Sequence, residues 1–383
     1  MTKLIDRIKY FFSPSQTPAA GIYHYISPAD DPRNYRLHLR IEPDGNGLLL
    51  INASTVLHLN RTAAEYAFYL VENLPVDAAG RRMSRHYHVP EADASRDYLE
   101  FSEKIQVLIN TPDLDPVTFL DFDRISPFSQ RITAPYRLDC AITYRLPQES
   151  PAGLAPGERV KQELTTGEWK SILDKAWAAG IPHVVFTGGE PTLRDDLVEL
   201  VAHAEKNNQV TGLLTDGLKL AEEDYRDQLL QTGLDHIMIL LDPENPKSWE
   251  AVQESLVEDL SVAVHLTIDA GNRLESLDIL KRLASMGVNK VSLSTADAEL
   301  EPALEEARNQ AAFSGLELIW NLPVPFSEHN PVSIETSPRA KNKPAGRAWI
   351  YVEPDGDVLP EQGSQQVLGN LLNDPWEKIW KST

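Results

Sequence analysis

Seven short runs of apolar and β-branched residues, each separated from the next by a stretch of helical spacing, constrain the fold of this chain more than any other feature. They lie at 138–144, 182–187, 210–215, 235–241, 262–268, 289–294 and 316–321. Between the second and third, Leu193, Leu197, Leu200, Val201 and Ala204 recur at the spacing of one helix face. Thr165-x-x-Glu168 opens the first intervening helix as a capping box, and Gly180 closes it. Strands alternating with helices in this way imply parallel βαβ units, hence an α/β fold that is either an open sheet or a partial barrel. The run at 262–268 favours the barrel. Val262, Val264, Leu266 and Ile268 point to one side, while Ala263, His265, Thr267 and Asp269 point to the other. A sheet covered by helices on both faces has strands apolar throughout, so the polar face implies a lumen able to hold a ligand. Ser292 and Ser294, opposite Val291 and Leu293, agree.

The remaining texture is different. Before residue 130, Tyr35 to Glu42 and Gly47 to Ala53 alternate around Pro43-Asp44-Gly45-Asn46-Gly47, which reads as a hairpin. Helical stretches follow at 62–73 and 92–109, so residues 1–130 read as a small α+β domain of winged-helix type. Residues 131–322 hold the barrel. Residues 323–383 form a loop-rich extension with Pro323, Pro325, Pro331 and Pro338, ending in a short helix from Pro375 to Trp380. A chain of 383 residues accommodates such a division.

Charge narrows the partners. With 57 acidic against 36 basic residues the net charge is −21, which opposes binding to nucleic acid or to an anionic membrane surface. No apolar run approaches the roughly 20 residues of a membrane-spanning helix. The opening twelve residues are amphipathic but lack the apolar core of a signal peptide, so a cytoplasmic protein is expected.

One strand end carries the most specific motif. The run at 182–187 leads straight into Thr187-Gly188-Gly189-Glu190-Pro191-Thr192-Leu193, and the next strand ends in Leu214-Thr215-Asp216-Gly217. Two glycines after a strand permit a sharp turn and close approach to a ligand. They also place Glu190 at the carboxyl end of a strand, where barrel proteins gather functional groups. On these residues and the order of its βα units, the segment from about 135 to 322 resembles the radical S-adenosylmethionine (SAM) superfamily. The resemblance implies a (β/α)6 partial TIM barrel in which Gly188, Gly189, Glu190 and Pro191 bind the SAM amino group. Thr215 and Asp216 then fall at the neighbouring contact, with Asp216 where the family often has asparagine. His265 is a further lumenal candidate for the ligand.

The same resemblance exposes a departure. The family holds a [4Fe–4S] cluster on Cys-x3-Cys-x2-Cys, commonly after Thr-Tyr-Arg. Here Thr143-Tyr144-Arg145 is followed by Leu146-Pro-Gln-Glu-Ser150-Pro-Ala-Gly153, placing Leu146, Ser150 and Gly153 in the three cysteine positions. Thiolates suit iron; leucine and glycine side chains offer no donor. The single cysteine, Cys140, lies within the preceding strand and reads as a small buried hydrophobe. The tail Tyr351-Val-Glu-Pro-Asp-Gly-Asp-Val-Leu-Pro360-Glu361 resembles the SPASM-like auxiliary-cluster extensions of radical SAM maturases, with Glu361 where cysteine is typical. The N-terminal hairpin and Leu59-Asn60-Arg61-Thr62-Ala63-Ala64 resemble the PqqD-like recognition domain of ribosomally made, modified peptides (RiPPs). Such a domain captures a peptide as an added strand; a structural appendage is the other reading.

The expectation is a cluster-less radical-SAM-like protein, catalytically silent, that binds a peptide or an active maturase. The alternative is a non-radical enzyme or sensor that binds SAM or a nucleoside through the Gly-Gly-Glu-Pro loop. Other residues read more plainly. His86 and His88 could share one side of a strand as a minimal metal pair, but without a third ligand nearby a solvated loop is the preferred reading. His265, paired with Asp269, could touch a ligand or transfer a proton, but a hydrogen-bonded interior histidine is the preferred reading. Asp195 and Asp196 complement a helix dipole, and Glu301, Glu305 and Glu306 form a solvated helix face.

Overall fold

A computed structural model describes residues 17–28, 30–111, 114–120, 132–147, 159–295, 297–319, 322–324 and 345–381. The chain divides into two compact units, Met1–Ile132 and Thr133–Thr383.

The first unit is built on a four-stranded antiparallel sheet in the order β1 (Gly21–Ile26), β2 (Arg36–Ile41), β3 (Gly47–Ile51), β4 (Thr55–Leu59). The β2–β3 turn follows from its residues: Gly45 adopts φ +85° and donates to the Glu42 carbonyl, which closes the hairpin. Leu37, Leu39, Leu49, Leu57 and Leu59 share a core with Ala67, Phe68 and Val71 of helix α1 (Arg61–Val71). The Asn60 side chain accepts from the Ala63 N–H and so caps that helix. Helices α2 (Val76–Tyr87) and α3 (Glu91–Asn110) pack closely where Gly80 meets Ser95, since a Cβ on Gly80 would stand 1.9 Å from the serine Oγ. A one-turn helix, α4 (Pro116–Leu120), follows. Strands β1 and β4 and helix α2 add to the hairpin and two helices expected from the sequence.

The second unit follows the expected alternation. Its strands β5 (Arg137–Thr143), β6 (His183–Gly188), β7 (Val210–Thr215), β8 (His236–Leu240), β9 (Ser261–Ile268), β10 (Lys290–Thr295) and β11 (Glu317–Leu318) are parallel neighbours in strict chain order. Between them run α5 (Thr166–Ala179), α6 (Leu197–Lys206), α7 (Glu223–Leu230), α8 (Pro246–Leu256), α9 (Ser276–Met286) and α10 (Glu301–Phe313). A doubly wound sheet reverses its strand order once; this one never does, so it curls as a partial barrel. The Thr165–Glu168 capping box and a left-handed Gly180 bound α5 as expected.

The two faces of the strands separate. Val262, Val264, Leu266 and Ile268 join the helix-side core with Trp169, Ile172 and Leu200, while Ala263 packs with Val185, Leu214 and Met238 on the other side. The tail is less loop-rich than its prolines suggest. β12 (Trp349–Val352) pairs in parallel with β5, and β13 (Asp357–Leu359) and β14 (Gly369–Asn370) extend the same sheet to ten strands. A closing helix, α11 (Trp376–Trp380), is held by Lys175, whose ammonium donates to the carbonyls of Leu371, Leu372 and Asp374. Pro325, Pro331 and Pro338, like the N-terminal amphipathic stretch, lie outside the described residues. Among the described residues no helix is long and apolar enough to cross a membrane.

Candidate functional site

The turn after β6 is locked to the end of β5. Gly189 N–H donates to the Thr143 carbonyl at 2.7 Å and Glu190 N–H to the Arg145 carbonyl at 2.8 Å. Only glycine permits this approach, because a Cβ at Gly188 would lie 2.1 Å from the Thr143 oxygen and one at Gly189 2.2 Å from the Arg145 oxygen. Gly188 also sits at φ +133°. Glu190 is thereby directed inward and buried. One carboxylate oxygen accepts from the Thr192 N–H (2.9 Å), the Thr192 hydroxyl (2.7 Å) and the Thr215 hydroxyl (2.7 Å). The other accepts from the Asp216 N–H at 2.7 Å. Pro191 starts a single 3-10 turn, so the next groups return toward the carboxylate.

Glu190 and Asp216 thus stand together at adjacent strand ends. Burial, and then the Asp216 charge, raise the Glu190 carboxyl above its ordinary value; burial raises Asp216 as well. Among the described residues neither makes an ion pair, and Lys219 Nζ donates instead to the Thr192 carbonyl. An acidic pair of this kind, Glu190 buried and Asp216 half-buried, favours an ammonium group as its neighbour.

His265 lies on the lumenal side as expected, but its partners differ. Its Nδ1 contacts the Ser292 hydroxyl at 3.0 Å, and its Nε2 contacts Ser294 at 2.9 Å and Thr267 at 3.2 Å. Asp269 lies past the end of β9, where its carboxylate accepts from the N–H groups of Gly271 and Asn272. His265 is thus the hydrogen-bonded interior histidine of the sequence reading, with a ring of hydroxyls rather than Asp269 as its partners. Burial lowers the His265 pKa to about 4, so the imidazole is neutral at pH 7.

The sign of the pH dependence follows. Between about pH 6.5 and 4 the unfolded chain binds a proton that native His265 refuses, so stability falls with decreasing pH. Glu190 acts oppositely: its raised native pKa contributes stability at low pH that is lost as pH rises through that value. Replacing His265 with glutamine should therefore flatten the acid limb. From pH 7 to 5 the unfolding free energy of the parent chain, from denaturant titration, should fall relative to that of the variant by about 1 kcal/mol per pH unit. Parallel curves for the two proteins would contradict this assignment.

At the end of β5, Glu163 accepts from the Thr143 hydroxyl at 2.6 Å and the Tyr144 N–H at 2.9 Å. Buried Arg194 spans the same corner. It donates to the carbonyls of Ile142 and Leu164 and grips both Asp196 oxygens. Tyr144 OH donates to Glu353 at 3.0 Å, and Arg159 completes the link, pairing with Glu353 at 2.8 Å and donating to the Ser364 carbonyl at 2.9 Å. This fastens the first barrel strand to the β12–β13 hairpin. Glu163, Arg194 and the Tyr144–Glu353–Arg159 set carried no recognisable sequence signal beyond the Thr-Tyr-Arg string.

The residues in the cluster positions do not fit a [4Fe–4S] cluster. Leu146 is half-buried and follows the Thr-Tyr-Arg end of β5 directly; Ser150 and Gly153 lie outside the described residues. Cys140 faces the helix-side core, and burial followed by the Asp139 charge pushes its thiol well up, away from the thiolate form. Glu361 is exposed after β13, with Gln362 buried beside it and donating to the Val324 carbonyl. Among the described residues no three metal-ligating side chains converge. His86 and His88 lie neither on the strand nor in the solvated loop considered for them. His86 is in α2 and pairs with buried Glu65 at 2.8 Å, while His88 ends the helix at φ 57°. Asp196 stands at the N-cap position of α6, its carboxylate held by Arg194 and the Thr166 hydroxyl rather than by the helix N–H groups; Asp195 is exposed before it, and Glu301, Glu305 and Glu306 are solvent-exposed.

The N-terminal unit has a separate groove of about 350 Å³, alongside β4 and α3. Leu59, Tyr66 and Phe101 line its floor, and Asp97, Glu100 and Lys104 its rim. Among the described residues β3 is the one sheet neighbour of β4, whose last two residues, His58 and Leu59, line the groove together with Asn60, Thr62, Ala63 and Tyr66 around the start of α1.

The sequence model of the Radical SAM superfamily matches residues 140–256. The PqqA peptide cyclase of Streptomyces rochei is 26% identical over 291 residues, which cover 65% of this chain and 76% of the relative. Among solved structures, Streptococcus suis SuiB bound to S-adenosylmethionine superposes with a TM-score of 0.59 at 13% identity, covering 93% of this chain and 88% of that one. SuiB bound to its precursor peptide SuiA gives a TM-score of 0.58 at 13% identity with the same coverage. At such identity the likeness to SuiB is one of fold.

Proposed function

The chain carries a radical SAM domain, and we propose that it serves peptide modification as a binding partner, without radical chemistry of its own. One observation carries this reading: leucine, serine and glycine occupy the three cluster-cysteine positions of a chain whose single cysteine is sealed in the core. Reductive cleavage of SAM needs an electron delivered by the cluster that chelates it; without the cluster the protein supplies only binding and orientation. On this reading residues 1–130 are a PqqD-like recognition domain, 131–322 the radical-SAM-like barrel, and 323–383 a SPASM-like extension without cluster ligands. The partner is a peptide or an active maturase of the cytoplasm. Among the described residues β4 has a neighbouring strand on one side, which supports a peptide, since an extended segment can add to such an edge by backbone hydrogen bonds. The test is anaerobic reconstitution with iron and sulfide. A chain-bound cluster together with 5′-deoxyadenosine from added SAM would overturn the proposal.

A second reading has its own support in the pair of buried Glu190 and half-buried Asp216, which lacks an ion partner among the described residues. It assigns a ligand with an ammonium group, SAM or a related nucleoside, to Gly188, Gly189, Glu190 and Pro191, with Thr215, Asp216 and His265 nearby. When bound, SAM would supply a sulfonium and an adenosyl group; this chain contributes the anionic and hydroxyl-lined wall. Calorimetric titration of SAM should then give heat with the native protein and at least tenfold weaker binding with Glu190→Ala, about the loss of one charge-assisted contact. Absence of heat from both proteins removes this reading and leaves the first intact.

A further inference from the structure

The lumen of the barrel is filled by the chain itself. Val324 is 3% exposed and packs with Val185, Leu214, Met238 and Ala263, lumenal side chains of the four successive strands β6 to β9. Leu322 rests against the same cluster. Three residues before Leu322, Ile319 N–H still bonds the Val291 carbonyl of β10 at 2.9 Å. Leu322 to Val324 belong to no strand or helix, and among the described residues two side chains reach their backbone. Gln362 donates its amide to the Val324 carbonyl at 2.7 Å, and the Thr187 hydroxyl donates to the Pro323 carbonyl at 3.4 Å. Thr187 directly precedes Gly188, so the segment meets the lumenal side of the strand end that leads into the Gly-Gly-Glu-Pro turn.

We infer that Leu322–Val324 is an internal plug, seated in the lumen as a bound peptide would be, and that an extended apolar–proline–apolar segment from outside competes for its place. The grip is that of a ligand site: apolar side chains on an apolar floor, with carbonyls met by placed donors instead of a ladder of strand pairing. Leu322 and Val324 each precede a proline, which disfavours helical backbone and keeps both extended. Such a segment loses little freedom on insertion. Being part of the chain, it competes at about millimolar effective concentration and excludes an outside peptide until its own hold is weakened. Gln362 makes the shorter of the two carbonyl bonds and stands outside both the apolar floor and the Gly-Gly-Glu-Pro turn, so it is the place to weaken that hold.

The probe is fluorescein-labelled Asn-Leu-Pro-Val-Pro, the sequence of residues 321–325, followed by anisotropy on the full chain. Gln362→Glu keeps the side-chain size but turns an acceptor toward the Val324 carbonyl. It should bind the probe about tenfold more tightly than the native chain, the worth of one good hydrogen bond lost by the plug. Val324→Ser, which weakens the plug's own apolar contact, should act in the same direction. A control peptide, Asn-Leu-Pro-Asp-Pro, should show no such gain. Binding at the N-terminal unit would be equal in all three proteins and so drops out of the comparison. Circular dichroism checks the fold; should Val324→Ser unfold, the size-conserving Gln362→Glu decides. Equal affinity of the native and Gln362→Glu chains, a gain shared by the control peptide, or binding to none of the proteins overturns the plug. Each of these leaves the N-terminal peptide reading untouched.

Discussion

Alanine in place of Gly189 should destabilise the barrel unit by roughly 3 kcal/mol or more, and Gly188→Ala should do the same. The added methyl group meets a backbone oxygen at little more than 2 Å in each case, and that oxygen, of Thr143 at the end of β5 or of Arg145 just beyond it, has no rotamer to change. At Gly188 the φ of +133° adds strain that a side chain cannot relieve. Calorimetric melting should fall by about 10 °C for either variant, given the size of the unit. Pro191→Ala, which keeps the turn hydrogen bonds, should change it little. The comparison bears on function. If both glycine variants melt early in the absence of any ligand, retention of the Gly-Gly-Glu-Pro string is explained by the β5–β6 junction itself. A wild-type melting point in Gly189→Ala would show that the junction yields, and would return the glycines to a ligand-binding role.

The second large effect concerns iron. Anaerobic reconstitution should leave the native chain without a bound cluster, whereas Leu146→Cys/Ser150→Cys/Gly153→Cys should take up roughly four irons per chain with visible thiolate-to-iron absorption. The expectation rests on the scaffold around the slot. Thr143, Tyr144 and Arg145 leave β5 through bonds to Glu163 and the Gly-Gly turn, so the following loop starts from a fixed point. Iron bound equally by the native chain would mean that donors other than the three restored thiolates suffice, and the inert reading would fall. Failure of the triple variant to bind iron would instead show that more than the ligands has been lost.

Much of the barrel could be read because each strand buries its two sides differently. Val262, Val264, Leu266 and Ile268 meet helices, and Ala263 and His265 do not, so a period of two in the sequence became two separate environments. The Gly-Gly-Glu-Pro turn was legible for a similar reason, since its glycines answer a local steric demand. What failed to appear depends on distant residues. Asp269 sits in phase with His265 along an ideal strand, yet β9 stops at Ile268 and a turn claims the carboxylate. His86 and His88 alternate as a strand would, but Glu65 of α1 pairs with His86 from the preceding helix. Arg194 and Glu163 look like solvated charges until the fold closes around them. β1 escaped notice because aromatic and histidine residues, Tyr23, His24 and Tyr25, replace a conventional apolar alternation.

Cys140 has a practical corollary. A thiol that is both single and sealed inside β5 gives almost no background to alkylating reagents in the folded state. Any cysteine introduced on the surface becomes a unique attachment point for a spin label or dye. Distances to a captured partner can then be measured without first stripping the protein of its native sulfhydryl.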